Sequence, residues 1–429
     1  MAIDLIVRNA TLPDGLTQQD IAVAGGRIVA VERAIAGEAG ETIDAGGHLV
    51  APPFVDCHFH MDATLSLGIP RMNQSGTLLE GIALWGELKP VLTHEAVIER
   101  ALRYCDLAVS QGLLAVRTHV DVCDDRLLAV EALLEVKARV KPYLDLQLVA
   151  FPQDGYYRSP TAAANLERAL DLGVDVVGGI PHFERTMEEG TASVKALCAI
   201  AARRGLMIDL HCDESDDPLS RHVETLAAET HRLGLGGRAA GSHLTSMHSM
   251  DSYYVSKLLP LIRESGLFAI CNPLINITLQ GRHDTYPKRR GLMRIPEMRA
   301  AGIPIALGQD CVMDPWYGLG GADMLDVAHM AVHAAPMTSR EAIRWSFEAV
   351  TDVPAAVMGL EGYGLSKGCN ADFVILQARD AIEAVRMRAT RLTVVRRGKV
   401  VAQTPPRQAR LDLPGRPGMV DPAGYAPQV

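Results

Sequence analysis

An α/β fold, a (β/α)8 barrel of TIM type carrying a small β-sandwich built from both chain termini, is what this sequence predicts. Three observations carry that expectation. Eight apolar runs of strand length alternate with helical stretches through the middle of the chain. Short strand-like runs sit at both ends. Polar residues able to do chemistry close one apolar run after another, as at the C-terminal ends of barrel strands.

The N-terminal strand candidates are residues 4–9, 20–25 and 27–32, the last two split at Gly25 and Gly26. The barrel strands are expected at 54–60, 113–120, 144–151, 173–180, 206–212, 238–243, 267–272 and 303–310. Helical patterns fall between them at 94–111, 125–138, 163–171, 191–204, 219–233 and 252–265. Residues 371–376 and 392–402 return to strand character, the second with a hairpin turn at Arg397, Gly398 and Lys399. Residues 1–51 and 362–429 therefore form the expected sandwich and 52–361 the barrel, with an irregular tail from Pro405. An open doubly wound sheet is the competing architecture, but no GxGxxG follows an early strand.

Length and composition agree. A chain of 429 residues exceeds the ~250 of a typical barrel and leaves room for a second, smaller unit. With 48% apolar and 22% charged residues it reads as an ordinary globular protein. The net charge of -9, without a long basic run, argues against nucleic acid or an anionic membrane as partner. The first residues lack a basic segment followed by an apolar one, and no apolar stretch approaches the ~20 residues of a membrane span. Eight scattered cysteines without a CxxC pair suit a reduced, cytoplasmic protein.

The strand ends, taken in order, present His58 and His60, then His119, Gln153, His182, His211 with Glu214, His243, and Asp310. His58 and His60 point to one face because strand side chains alternate with period two. Three imidazoles and a carboxylate can hold a divalent ion of zinc or iron type and leave a position for water. Such an ion lowers the pKa of water enough to supply hydroxide near neutral pH. Glu214, three residues past His211, can approach a substrate there; alone it would read as an ordinary charge at a helix start.

Longer motifs make a resemblance plain. They are Asn-Gln-Ser-Gly-Thr-Leu (73–78), Val-Arg-Thr-His-Val-Asp (116–121), Val-Ala-Phe-Pro-Gln (149–153), Ile-Pro-His-Phe-Glu (180–184), His-Cys-Asp-Glu (211–214), Leu-Gln-Gly-Arg (279–282) and Asp-Pro-Trp-Tyr (314–317). With the His-x-His pair and the last-strand Asp, the chain resembles the amidohydrolase superfamily and, within it, the cytosine deaminase group. The resemblance implies His58, His60, His211 and Asp310 as ligands of a single divalent metal, zinc or iron(II). It implies that His243 holds the attacking water and shares its proton with Asp310. Glu214 would protonate the ring nitrogen beside the attacked carbon and then help ammonia leave. Gln153 would read the ring carbonyl and neighbouring N–H, Trp316 would wall the ring, and the backbone at Leu78 would touch the base. The expected partner is a small nucleobase, and the expected assembly a homo-oligomer.

Two departures bear on substrate and metal. Dinuclear members of the superfamily carry a lysine at the end of the fourth strand, where this chain has Val177, Gly178, Gly179, Ile180 and Pro181. One metal is therefore expected. Family members carry a carboxylate after the ligand Asp, near the C5 edge of the base; here that residue is Cys311, and Gln309 replaces a histidine. A carboxylate is strongly hydrated and disfavours an apolar neighbour, whereas a thiol tolerates a methyl group. The expected reaction is therefore deamination of 5-methylcytosine to thymine, with cytosine to uracil beside it. The alternatives are another amino-heterocycle, such as isoguanine or a creatinine-like ring, and hydrolysis of a cyclic amide or N-alkyl triazine.

Overall fold

The computed structural model describes residues 2–424; Met1 and residues 425–429, at the outer limits of the expected sandwich, lie outside the described residues. Five strands come first: β1 (Ile3–Ala10), β2 (Gln19–Ala24), β3 (Arg27–Glu32), β4 (Ala39–Asp44) and β5 (Leu49–Ala51). Eight more follow with helices between them: β6 (Phe54–Phe59), β7 (Leu113–Asp121), β8 (Asp145–Phe151), β9 (Val176–Gly179), β10 (Met207–Cys212), β11 (Ala239–His243), β12 (Phe268–Cys271) and β13 (Ile305–Leu307). The chain ends through β14 (Phe373–Leu376), β15 (Arg391–Arg396) and β16 (Lys399–Gln403).

Strands β6 to β13 pair in sequence order, all parallel, as one eight-stranded sheet. The two edges meet where the Phe59–Asp310 bridge forms, with Asp310 N–H donating to His58 C=O at 2.8 Å and His60 N–H to Asp310 C=O at 3.0 Å. Closure thus happens at His58, His60 and Asp310, three of the expected metal ligands. Strands such as β7 are buried along their whole length, which is why they read as continuous apolar runs rather than alternating ones.

The terminal strands form two four-stranded sheets, ordered β3-β2-β1-β4 and β16-β15-β14-β5. Leu5, Val7, Val50, Phe373, Ile375 and Val395 are buried together between them, joining the two chain ends in one core. The expected hairpin turns at Arg397 and Gly398, both at positive φ, a conformation glycine adopts without strain. The tail is not wholly irregular, because Ala409–Arg410 pairs with Met419–Val420. Strands β4 and β5 were not expected; β4 is largely exposed and polar, and β5 is only three residues long, so neither gives a periodic signal.

Inside the barrel a polar layer underlies the strand ends. Arg117, fully buried, donates to Asp209 at 3.0 Å and to Gln147 at 2.7 Å, and Ser242 Oγ donates to Asp209 at 2.6 Å. By the period of two, Arg117 stands one step below His119 on β7 and Asp209 one step below His211 on β10. The Arg117–Asp209 pair ties β7 to β10 in the layer beneath the imidazoles.

Candidate active site

The strand ends converge on one cavity with about 350 Å³ of empty space, partly open to solvent. His60, Leu78, Gln153, His211, Glu214, His243, Asp310, Cys311 and Trp316 all line it. His58 is the exception among the expected site residues: it lies behind the wall, completely buried.

The donor atoms are spaced for one ion. His60 Nε2 lies 3.1 Å from His211 Nε2, and Asp310 Oδ1 lies 3.5 Å from His60 Nε2 and 3.6 Å from His58 Nε2. Ligands ~2.0–2.1 Å from a common four-coordinate centre sit about 3.0–3.4 Å from each other, so these spacings fit a metal. His58 Nε2 has no protein hydrogen-bond partner although it is buried. Burial holds His58 and His211 well below the ordinary imidazole pKa and His60 down to about 3, so all three are neutral, as ligation requires. Two overlapping triads, His58 with His60 and Asp310 and His58 with His211 and His243, bring donor atoms within 4.8 Å of each other. A third, His58 with His119 and Asp209, lies lower, where Asp209 is already engaged by Arg117.

Backbone geometry aims two of these groups. Asp310 (φ 69°) is the centre of a three-residue turn in which Cys311 N–H donates to Gln309 C=O at 2.9 Å. His243 (φ 72°) centres the same kind of turn, with Leu244 N–H donating to Ser242 C=O at 3.0 Å. A positive-φ γ-turn is strained for residues with a Cβ and persists only where the surroundings impose it. Asp213 (φ 58°) is a third positive-φ residue, next to Glu214, without the γ-turn hydrogen bond.

The carboxyls are tuned by burial. Glu214 is pushed up to about 8, and Oε1 has no protein hydrogen-bond partner. Burial also raises Asp310, with the Glu214 carboxyl adding to the effect. Glu214 Oε1 and Asp310 Oδ2 flank His243 Nδ1 at 3.5 and 3.8 Å. A protonated Glu214 at neutral pH is a proton donor held at the cavity.

The opposite side of the cavity is apolar. Phe151 stacks on the His211 ring at 4.3 Å between centroids. Ile275 and Leu279, four residues apart on the helix Pro273–Leu279, share a face and line the cavity with Ile180. Trp316 is positioned by Asp314, whose Oδ1 accepts the N–H groups of Trp316 and Tyr317 at 2.9 Å each. Cys311 Sγ lies 3.6 Å from Asp310 Oδ1, and burial followed by Asp314 and Asp310 pushes its thiol well above the ordinary value. It is therefore a neutral wall residue and not a thiolate nucleophile. Gln309, buried, donates from Nε2 to Cys311 C=O at 3.4 Å and braces that turn.

His119 and His182 make second contacts rather than lining the cavity. His119 Nε2 lies 3.1 Å from His58 Nδ1, and His182 Nδ1 lies 3.0 Å from His211 C=O. Asn272 and Asn276, which contact His243, had no signal in the sequence, where asparagine at a helix start reads as a cap. Phe151, the last residue of β8, was not singled out in the sequence, although it stands two residues before Gln153.

A sequence profile of the amidohydrolase family matches residues 41–402. The chain belongs to the amidohydrolase family. A 5-methylcytosine deaminase from Klebsiella pneumoniae, solved with 5-fluorocytosine, superposes with a TM-score of 0.92 at 41% identity, covering 95% of this chain and 99% of that one. The N-isopropylammelide isopropyl amidohydrolase of Pseudomonas sp. (strain ADP) is 30% identical over 93% of this amidohydrolase and 97% of its own length. The pterin deaminase of Rhizobium rhizogenes is 27% identical over 96% and 97%. These similarities bear out the resemblance to the cytosine deaminase group, and with it a metal-dependent aminohydrolase. No helix among the described residues of this amidohydrolase is long and apolar enough to cross a membrane.

Proposed function

We propose that this amidohydrolase deaminates 5-methylcytosine to thymine, and cytosine to uracil, releasing ammonia at one divalent metal, zinc or iron(II). The observation that carries the substrate is Cys311, a buried neutral thiol in the cavity wall directly after Asp310. A 5-methylcytosine deaminase at 41% identity supports the same reading. Burying one methyl against such a wall contributes about 0.8 kcal/mol, whereas a carboxylate there would have to lose hydration.

In this reading His58, His60, His211 and Asp310 hold the metal. A divalent ion held by these residues would supply hydroxide near neutral pH. Gln153 fixes the ring edge by its amide, and Trp316 and Phe151 close around the ring. Glu214, neutral at pH 7, gives its proton to the ring nitrogen beside the amino-bearing carbon as water adds there. The far oxygen of Asp310 takes the water's proton, with His243 holding the water by a hydrogen bond, and that proton returns to Glu214. The hydroxyl proton of the tetrahedral carbon then moves through Asp310 to the amino group, which leaves as ammonia. Water's two protons thus end on the ring nitrogen and on ammonia.

The test is ammonia release by metal-loaded protein, with cytosine and 5-methylcytosine compared at matched concentrations. kcat/KM for 5-methylcytosine is expected to equal or exceed that for cytosine. Cys311→Asp is expected to lower the 5-methylcytosine value about tenfold relative to cytosine. Turnover of cytosine alone would remove the role given to Cys311. Release of isopropylamine from N-isopropylammelide, without deamination of either base, would move the substrate to N-alkyl triazines.

A further inference from the structure

Gln153 lines the cavity, yet its side-chain amide makes no hydrogen bond to any other described residue. Its aim depends wholly on the backbone of the loop that follows β8. That loop turns tightly, with Gln153 N–H donating to Phe151 C=O at 3.0 Å and Gly155 N–H to Pro152 C=O at 2.9 Å. Its far half is held by one side chain from the next strand end. Glu184 Oε1 accepts the N–H of Tyr156 at 2.6 Å and of Tyr157 at 3.1 Å, and Oε2 accepts that of Arg158 at 2.8 Å. Three consecutive backbone N–H groups converging on a carboxylate form a strong, directional anchor. Glu184 is itself buried, so the loop cannot shift without leaving a buried charge short of partners. Arg158 reinforces the anchor by lying over the Phe183 ring at 4.2 Å. Gly155 has φ +94°, and a Cβ there would come within 3.0 Å of Glu184 Oε2.

We propose that Glu184 is a positioning residue for substrate recognition: by gripping the backbone at Tyr156, Tyr157 and Arg158, its carboxylate sets the direction in which Gln153 presents its amide to the ring. This rests on the reading of Gln153 as the residue that fixes the ring edge. Glu184 touches neither the reacting atoms nor the metal donors, so its loss misplaces the ring without removing the chemistry. The signature is a rise in KM with little change in kcat.

The experiment is a double-mutant cycle on the metal-loaded protein with 5-methylcytosine, using Gln153→Ala, Glu184→Ala, Glu184→Gln and the double Ala variant, with bound metal measured for each. Glu184→Ala is expected to raise KM about tenfold, kcat staying within about threefold and metal content unchanged. Glu184→Gln, whose amide oxygen still accepts, is expected to recover part of that loss. In the Gln153→Ala background, Glu184→Ala is expected to add less than about twofold. Gly155→Ala, which pushes on the anchor from the loop side, is expected to give the same rise in KM if Glu184→Ala does not fold. Full additivity of the two Ala effects, or a loss of kcat or metal at unchanged KM, would overturn the proposal while leaving the deaminase reading intact. No effect of Gln153→Ala on KM, or a wild type inert toward 5-methylcytosine, would overturn both.

Discussion

Asn276 Nδ2 lies 2.9 Å from His243 Nδ1, and the same amide accepts the Asn272 N–H through its Oδ1 at 3.3 Å. The second bond fixes which way the amide faces. An NH2 group only donates, so Nδ1 is the acceptor, and the hydrogen-bond network assigns the ring proton to Nε2. The tautomer of His243 is thus set by a residue on the helix after β12.

That assignment predicts the effect of reversing the hydrogen bond. In Asn276→Asp the carboxylate can only accept at neutral pH, which draws the imidazole proton to Nδ1 and leaves Nε2 bare. kcat is expected to fall on the order of 100-fold with bound metal unchanged, because a wrong tautomer preserves shape and loses proton transfer. Steady-state kinetics together with metal analysis decide it. Undiminished kcat at full metal content would show that the tautomer of His243 does not matter.

His119 predicts a different phenotype. Its Nε2 stands 3.1 Å from the Nδ1 of His58, the one candidate ligand that is buried behind the cavity wall. Residues behind a metal-ligating histidine fix its orientation and basicity, and their loss typically costs about 10–100-fold in metal affinity. His119→Ala is expected to lose metal to a chelator correspondingly sooner, and excess metal is expected to restore turnover. Metal retention equal to that of the wild type would mean that the barrel wall alone orients His58.

The reach of the sequence follows from what leaves a periodic or chemical trace. Strand ends that stop at His58, His211, His243 and Asp310 stand out, because polar groups interrupt runs that are otherwise continuously apolar. His211, His243 and Asp310 do meet at one cavity, with His58 buried behind its wall. Boundaries were less well defined: β9 and β13 are shorter than expected, since Val174 and Ile303 are buried outside the sheet pairing. Asn276 was invisible because its role depends on an approach of helix to strand, and nothing in a single chain records that distance. The γ-turns at His243 and Asp310 were hidden for a related reason. Positive φ shows in a sequence through glycine, and here imposed strain stands in its place.

Gly81 lies in the helix Leu78–Leu88 with its Cα against the Trp316 indole, and an added Cβ would come 2.3 Å from Trp316 Cδ1. Glycine within a helix costs about 1 kcal/mol relative to alanine, so the close approach is what the position offers in return. In Gly81→Ala the indole must move, and the space beside it is the cavity. KM for the base is expected to rise about tenfold, with a change in tryptophan fluorescence, whatever the gain in helix propensity. Unchanged KM and fluorescence would show that the helix, and not Trp316, yields.

Asp213 and His222 supply a pH-dependent prediction. His222 Nδ1 lies 2.7 Å from Asp213 Oδ1, both groups are buried, and Val223 N–H and Ser220 Oγ also donate to the carboxylate. Burial works against both charges, yet the mutual attraction raises His222 above its ordinary 6.5 and lowers Asp213 below its ordinary 3.8. A raised histidine stabilises fully below its unfolded pKa, and that contribution is lost as pH rises through the folded pKa. A lowered carboxylate stabilises fully above its unfolded pKa, and is lost as pH falls through the folded one. Both contributions are therefore complete between roughly pH 4 and 6.5, and the histidine part disappears on the alkaline side. His222→Gln is expected to cost about 3 kcal/mol of unfolding free energy at pH 6 and distinctly less at pH 9. Urea titrations at the two pH values measure it. A deficit that is constant or grows with pH would mean that His222 acts by shape and not by charge. The pair is of consequence to the site because Asp213, held at positive φ, carries the backbone directly into Glu214.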